Sequence, residues 1–178
     1  MHRRVLRSFV HGLLLPTRSL RFVPTPTLHT LLHPDRIRLR LSSSSKADAI
    51  NTMVDLLASH RAITSLPDVR SAVFERESTM STGVGHGLGL PHAKTDAATE
   101  TVAAFATLHP PVEFDAIDSS PVELLLLLVG PESEASLHIK VLGRISRLVH
   151  QVPLREALTS ADTPAAVVDT LQRAEATL

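Results

Sequence analysis

At 178 residues, with 43% hydrophobic and 20% charged side chains, the chain is long enough for one domain with a substantial core. It contains no Cys, Tyr or Trp and only five Phe, which excludes disulfides, thiol catalysis and thiolate metal sites and leaves burial to Leu, Val, Ile and Ala. The formal net charge is zero, but residues 1–34 carry five Arg and no acid, so the remainder has 13 basic and 18 acidic residues, a net −5 that lacks the basic footprint nucleic-acid binding requires.

The first predicted unit, residues 1–30, is Arg-rich, acid-free and punctuated by Pro16, Pro24 and Pro26. Its apolar stretch Phe9–Leu15 is too short and interrupted to span a membrane, and no small-residue cleavage site follows it, so a secretory signal does not fit. The composition reads as a disordered extension, of the kind a start codon placed too far upstream produces, with an organellar transit peptide as the alternative. A single domain is expected over residues 31–178. The missing cysteine agrees with a cytoplasmic location, and no membrane insertion is expected.

Arg36–Leu41 alternates polar and apolar side chains, which predicts a strand with one buried face. The serine run 42–45 ends it, and Ser44 or Ser45 is placed to cap a helix whose apolar stripe is Ala49, Ile50, Met53, Val54, Leu56 and Leu57. Pro67 suits the first turn of a second helix running to about Arg76, with Val69, Val73 and Phe74 buried and Arg76 at its end. Gly87–Pro91 reads as a short strand with His92 at its exit. Thr101–Leu108 and Val122–Val129 read as further strands, the second apolar enough to be buried on both faces. Ser136–Val149 has helical spacing with His138, Val141, Leu142, Ile145 and Val149 on one face. Pro153 starts a short helix, and Thr163-Pro164 caps and opens the last. Strands interleaved with helices in this order predict a three-layer α/β/α sandwich with a mixed sheet.

The segment Arg76-Glu77-Ser78-Thr79-Met80-Ser81-Thr82-Gly83-Val84-Gly85-His86-Gly87-Leu88-Gly89-Leu90-Pro91-His92 is the chemically distinctive part. Glycine at every second position allows positive φ and close approach, so such a loop can turn several N–H donors toward one anion. The run ends on an imidazole. Neither Gly83-x-Gly85 nor Gly85-x-Gly87 is followed by the third glycine of a dinucleotide fingerprint, and no Gly-Lys-Ser/Thr of a phosphate loop occurs. Ten His residues are present, yet none is accompanied by a thiolate ligand, so a zinc site is not expected. No cofactor is expected either.

This segment resembles the active-site motif of the enzyme IIA domains of the phosphoenolpyruvate-dependent phosphotransferase system, in their fructose/mannitol and nitrogen-regulatory branch. The likeness extends through Pro111–Asp118, Pro121–Leu125 and the helical segment bearing His138, and covers about Leu31 to Ala174. The resemblance implies that His92 is the phosphoryl-carrying nucleophile, that Arg76 is the arginine beside it, and that His138 is the second histidine that contacts the phosphoryl group or orients the first. Alone, His138 on an apolar stripe reads as a core residue, and Arg76 as a helix-terminal partner of Glu75 or Glu77. Ser81, Thr82, Gly83 and Gly85 are candidates to add hydroxyl and N–H donors around the phosphate. His86, at a variable position of the motif, reads as a surface residue.

The resemblance implies a phosphocarrier that accepts its group from an HPr-like protein, docked on an apolar rim formed by Val84, Leu88 and neighbours. Two uses then compete. A nitrogen-type IIA stands alone and regulates target proteins, whereas a sugar-type IIA passes phosphate to a IIB protein for uptake. The absence of a fused IIB or IIC segment, of cysteine and of a membrane span in these 178 residues favours the first. A reading of another class is a IIA-like module that binds proteins without phosphorylation; the joint presence of Arg76, His92 and His138 argues against it.

Overall fold

A computed structural model describes residues 25–178. Six strands form one mixed sheet: β1 (Ile37–Leu41), β2 (Gly83–Gly85), β3 (Leu88–Gly89), β4 (His92–Lys94), β5 (Val102–Val112) and β6 (Val122–Gly130). The order is β1-β5-β6-β3-β2, with β4 also paired to β6, beyond the end of β3. β1 runs parallel to β5, β3 and β4 run parallel to β6, and the β5–β6 and β2–β3 pairs are antiparallel.

β6 explains the layering. Period-2 alternation sends Leu124, Leu126 and Leu128 to one face and Leu125, Leu127 and Val129 to the other, and all six are at most 2% exposed. The second face packs on α2 (Lys46–Asp55) and α3 (Leu66–Thr79) through Ile50, Met53, Val69 and Val73. The first packs on α4 (Ala135–Val149), α5 (Val152–Thr159) and α6 (Pro164–Glu175) through Val141, Ile145, Leu154 and Leu171. The result is the expected α/β/α sandwich. Among the described residues no helix is long and apolar enough to cross a membrane.

The helix starts follow their caps. Ser45 Oγ accepts from Asp48 N at 3.2 Å, and Asp48 Oδ2 accepts in return from Ser44 N at 2.9 Å. Ser65 caps α3 by accepting from Asp68 N, and Thr163 caps α6 by accepting from Ala166 N. α3 continues to Thr79, three residues beyond the expected end, so Arg76 sits inside its last turn. The predicted strand at 87–91 is broken. β3 holds two residues, Leu90-Pro91 interrupts the ladder, and the chain rejoins β6 as β4, so His92 lies within a strand rather than at an exit. Proline has no N–H to give the ladder, which accounts for the break.

A short helix, α1 (Leu28–Leu31), falls where the sequence reading placed the extension. Leu28 and Leu32 are 3% and 4% exposed in the core facing α4 and α6. The buried Glu175 carboxylate accepts from Leu28 N at 2.6 Å and His29 N at 3.0 Å and meets His29 Nδ1 at 2.6 Å. The packed body therefore includes residues before 31. The extension and transit-peptide readings of residues 1–24 lie outside the described residues.

Candidate active site

The glycine segment folds into a hairpin. Gly85 and Gly87, with φ of +91° and +73°, flank His86 at +54° and make the reversal between β2 and β3. Gly83 and Gly89 serve close packing instead. A Cβ at 83 would stand 2.8 Å from Ala116 Cα, and one at 89 would stand 2.8 Å from Leu125 Cδ1.

The hairpin is pinned from its first strand. Thr82 N and Oγ1 both donate to the Glu77 carboxylate, at 3.1 and 2.5 Å, and Glu77 Oε1 lies 2.6 Å from Lys46 Nζ. Lys46 also donates to Phe114 O at 3.0 Å and Ser81 Oγ at 3.1 Å, and Ser81 Oγ donates to Phe114 O. Burial pushes Glu77 up, but hydrogen bonds from Lys46 and Thr82 and the Lys46 charge together outweigh it and hold the carboxyl below its ordinary pKa. Leu90 N then donates to Thr82 O at 2.9 Å, so the pinned strand fixes the residue two before His92.

His92 pairs with Leu128 of β6, and its neighbour Ala93 faces the α2–α3 core, so His92 and Lys94 emerge on the α4 side. His92 Nδ1 lies 2.9 Å from the carbonyl oxygen of Leu90. A carbonyl only accepts, so Nδ1 carries the proton and Nε2 keeps its lone pair. Burial lowers the pKa of His92; the Leu90 bond opposes this, the Arg76 charge lowers it further, Glu77 raises it, and the net direction is down. The ring is neutral at physiological pH.

His138, in the first turn of α4, stands with its ring centroid 5.8 Å from that of His92. It is 3% exposed, and neither ring nitrogen has a hydrogen-bond partner among the described residues. Burial, with smaller contributions from His92 and Lys94 and against that of Glu132, pushes its pKa down to about 4. Arg76 donates to Met80 O at 3.0 Å and has no carboxylate partner among the described residues, so it does not pair with Glu75 or Glu77.

These side chains share one open cavity of about 420 Å³ at the sheet edge, lined by Arg76 and Thr79 of α3, His92 and Lys94 of β4, and His138 and Ile139 of α4. The structure thus brings together Arg76, His92 and His138. It does not bring Ser81, Thr82, Gly83 or Gly85 to the cavity, because their polar groups are committed to Glu77, Lys46, Phe114 and the hairpin. Gly83 N donates to Ser81 Oγ and His86 N to the exposed Asp118, so these donors turn away from the cavity. The expected apolar rim also moves: Leu88 is buried and Val84 is exposed away from the cavity, where Ala72, Ile139 and Leu142 supply the apolar edge.

Sequence reading missed Lys94 and Glu132, which pair at 3.1 Å at the cavity. The signal for Lys94 was present, since it is two residues after His92 in an extended run and so shares its face. His86 is exposed and meets the edge of His150, ring centroids 5.7 Å apart, outside the cavity. Among the described residues no three His, Asp or Glu side chains are grouped to hold a metal ion.

Residues 30–174 match the model of the family described as phosphoenolpyruvate-dependent sugar phosphotransferase system, EIIA 2. A fructose-specific EIIA component of Haloferax volcanii is 33% identical over 144 residues, 81% of this chain and 94% of that protein. The crystal structure of nitrogen regulatory protein IIA-Ntr from Neisseria meningitidis superposes with a TM-score of 0.76 at 30% identity, over 80% of this chain and 97% of that one. The Escherichia coli mannitol IIA enzyme, solved in complex with its phosphorylated IIB enzyme, shares the fold at 19% identity with a TM-score of 0.70, over 80% of this chain and 97% of that one.

Proposed function

Because this chain belongs to the EIIA 2 family of the phosphoenolpyruvate-dependent sugar phosphotransferase system, we propose that it is a phosphocarrier whose Nε2 atom of His92 receives and returns a phosphoryl group. The observation that carries this reading is the 2.9 Å bond between His92 Nδ1 and Leu90 O, which leaves Nε2 unprotonated on a neutral ring beside the cavity. The donor is an HPr-like protein bearing a phosphohistidine. Nε2 forms a bond to phosphorus as the bond from phosphorus to the donor nitrogen breaks, and that electron pair returns to the donor ring. The proton on Nδ1 stays in its bond to Leu90 O, which stabilises the positive charge placed on the phosphorylated imidazole.

Phosphoryl transfer leaves the protein mainly with positioning and charge stabilisation. Arg76 offers a permanent planar cation to the phosphoryl oxygens. His138 offers a neutral N–H next to His92. Neither needs to form a bond to phosphorus.

The similarity to the Neisseria IIA-Ntr structure supports a nitrogen-type regulatory use in the cytoplasm, in which the phosphorylated and free forms act differently on target proteins. The fructose-specific relative supports the second reading, transfer onward to a IIB protein during sugar uptake. The test is incubation with phosphoenolpyruvate, enzyme I and an HPr-like protein. One acid-labile, alkali-stable phosphoryl group is expected on the wild type and none on His92→Ala; full labelling of His92→Ala overturns the assignment. Passage of the label to a purified IIB protein selects the uptake use, and its retention on the carrier selects the regulatory one.

A further inference from the structure

Three polar atoms are buried without a hydrogen-bond partner among the described residues: Thr101 Oγ1, His138 Nδ1 and His138 Nε2. Two of them converge. A Cβ added to Gly130 would stand 3.0 Å from Thr101 Oγ1 and 3.3 Å from His138 Nδ1, so the hydroxyl and the ring nitrogen flank the bare Cα of residue 130 on the α4 side of the sheet. Gly130 ends β6 in register with Lys94, two residues beyond the partner of His92, and Thr101 immediately precedes β5. The hydroxyl therefore enters from a different part of the chain than either histidine, His92 lying on β4 and His138 on α4.

A buried nitrogen and a buried hydroxyl left apart would each lose the full desolvation cost of an unmade hydrogen bond. Rotation of the hydroxyl, a small shift of the ring, or one intervening water would satisfy both, whereas a side chain at residue 130 would crowd both atoms. The direction of the bond matters. A neutral imidazole has one N–H, and whichever nitrogen accepts leaves the other to donate.

We propose that Thr101 is a positioning residue for the active site: its hydroxyl donates, directly or through one water, to Nδ1 of His138 and holds that ring as the Nε2–H tautomer. Nε2 then becomes the donor available to a phosphoryl group on His92, whose ring is 5.8 Å away centroid to centroid. The depressed pKa of His138 agrees, because a neutral ring is the one whose tautomer needs setting. Thr101 acts only through His138, and its role rests on the phosphocarrier reading. The tautomer itself does not.

The experiment is long-range ¹H–¹⁵N correlation of the histidine rings in the full-length protein at pH 7, on wild type, Thr101→Val and Thr101→Ser, with phosphoryl uptake rates measured in parallel. Wild-type His138 is expected as Nε2–H. Thr101→Val, which keeps the shape and removes the hydroxyl, is expected to move His138 toward Nδ1–H or an exchanging mixture and to slow uptake about tenfold, the scale of one lost electrostatic donor. Thr101→Ser is expected to restore both. An Nδ1–H wild-type ring, or an unchanged tautomer in a folded Thr101→Val, overturns the proposal. If Thr101→Val does not fold, the wild-type tautomer alone decides. Failure of the wild type to accept phosphate while the tautomer responds to Thr101 would remove the phosphocarrier reading and leave the Thr101–His138 bond standing.

Discussion

The imidazole of His92 is bonded to the carbonyl of Leu90 across Pro91, at 2.9 Å, so the residue that separates β3 from β4 lies between the nucleophile and the group that sets its tautomer. The bond is local, but its position is not. Leu90 is itself held by Thr82, and Thr82 by Glu77. Orientation of Nε2 thus depends on a chain of hydrogen bonds that reaches back to α3 and, through Lys46, to the start of α2.

The protonation of His92 should govern the rate at low pH. Its pKa is held below the ordinary histidine value by burial first and by Arg76 among the charges. Labelling is therefore expected to be flat above about pH 6.5 and to fall at lower pH as the ring takes a second proton. Arg76→Ala removes a cation that opposes that proton, so the falling limb should move to higher pH. Single-turnover labelling across pH 5–8 reads both; a limb that stays in place or moves down contradicts the placement of Arg76.

Arg76→Ala and His138→Ala should both fold and still accept phosphate on His92, at rates lower by roughly tenfold to a thousandfold, as expected when one electrostatic donor is lost and the nucleophile remains. Label mapping by mass spectrometry checks the site. Wild-type rates in both variants would return Arg76 to a solvated helix-end cation and His138 to core packing.

His138 also makes a prediction about stability. Its pKa is about 4 when folded and about 6.5 when unfolded, so between those values the unfolded chain binds more protons. The stability associated with the neutral ring is complete above about pH 6.5 and is lost as pH falls to about 4, amounting to roughly 3 kcal/mol. Urea titrations from pH 4 to 7 should show His138→Gln with a shallower dependence than wild type, by about one proton. Parallel curves would contradict the burial of a neutral ring.

The Lys46–Glu77 pair, with side chains 21% and 8% exposed, should respond unequally to loss of each partner. Lys46→Met strands a nearly buried carboxylate and should cost about 2–4 kcal/mol; Glu77→Gln keeps an acceptor for Thr82 and should cost about half as much. Denaturant midpoints measure both. Because the hairpin is pinned through this pair, Lys46→Met is also expected to slow labelling, although Lys46 does not line the cavity.

Leu28→Ala should cost about 2–4 kcal/mol, the usual penalty for emptying a fully packed leucine site, with little change in the labelling rate. A change within about 0.5 kcal/mol would mean that α1 contributes nothing to the core.

Much of this was legible in the sequence because one-dimensional patterns carry it. Period-2 spacing identified β1, an unbroken apolar run identified β6 and period-3.6 spacing identified α4, while Ser44 or Ser45, Thr163 and Pro164 marked helix starts through local chemistry. His92, Arg76 and His138 were named through a family motif, and their convergence depends on a fold that the motif does not describe. What escaped was non-local. α1 lies in a Pro-punctuated stretch without helical periodicity, and it exists because Leu28 is buried and Glu175, at the far end of the chain, caps it. The glycines were legible as special but not as divided, since only the neighbours Ala116 and Leu125 show that Gly83 and Gly89 are there for contact distance. Ser81 and Thr82 looked like ligands because nothing in the sequence showed that Glu77 and Lys46 had already taken them.

The contact between Leu28 N and Glu175 Oε1 closes the described fold into a loop: the chain enters and leaves its folded body at neighbouring points, beside α6 and β1, while His92 faces outward from the far side of β6. A body with adjoining entry and exit is a natural cassette. Such a body is suited to insertion into a longer polypeptide, or to circular permutation by a joint between α1 and α6 with new ends at an exposed loop position such as Ser119.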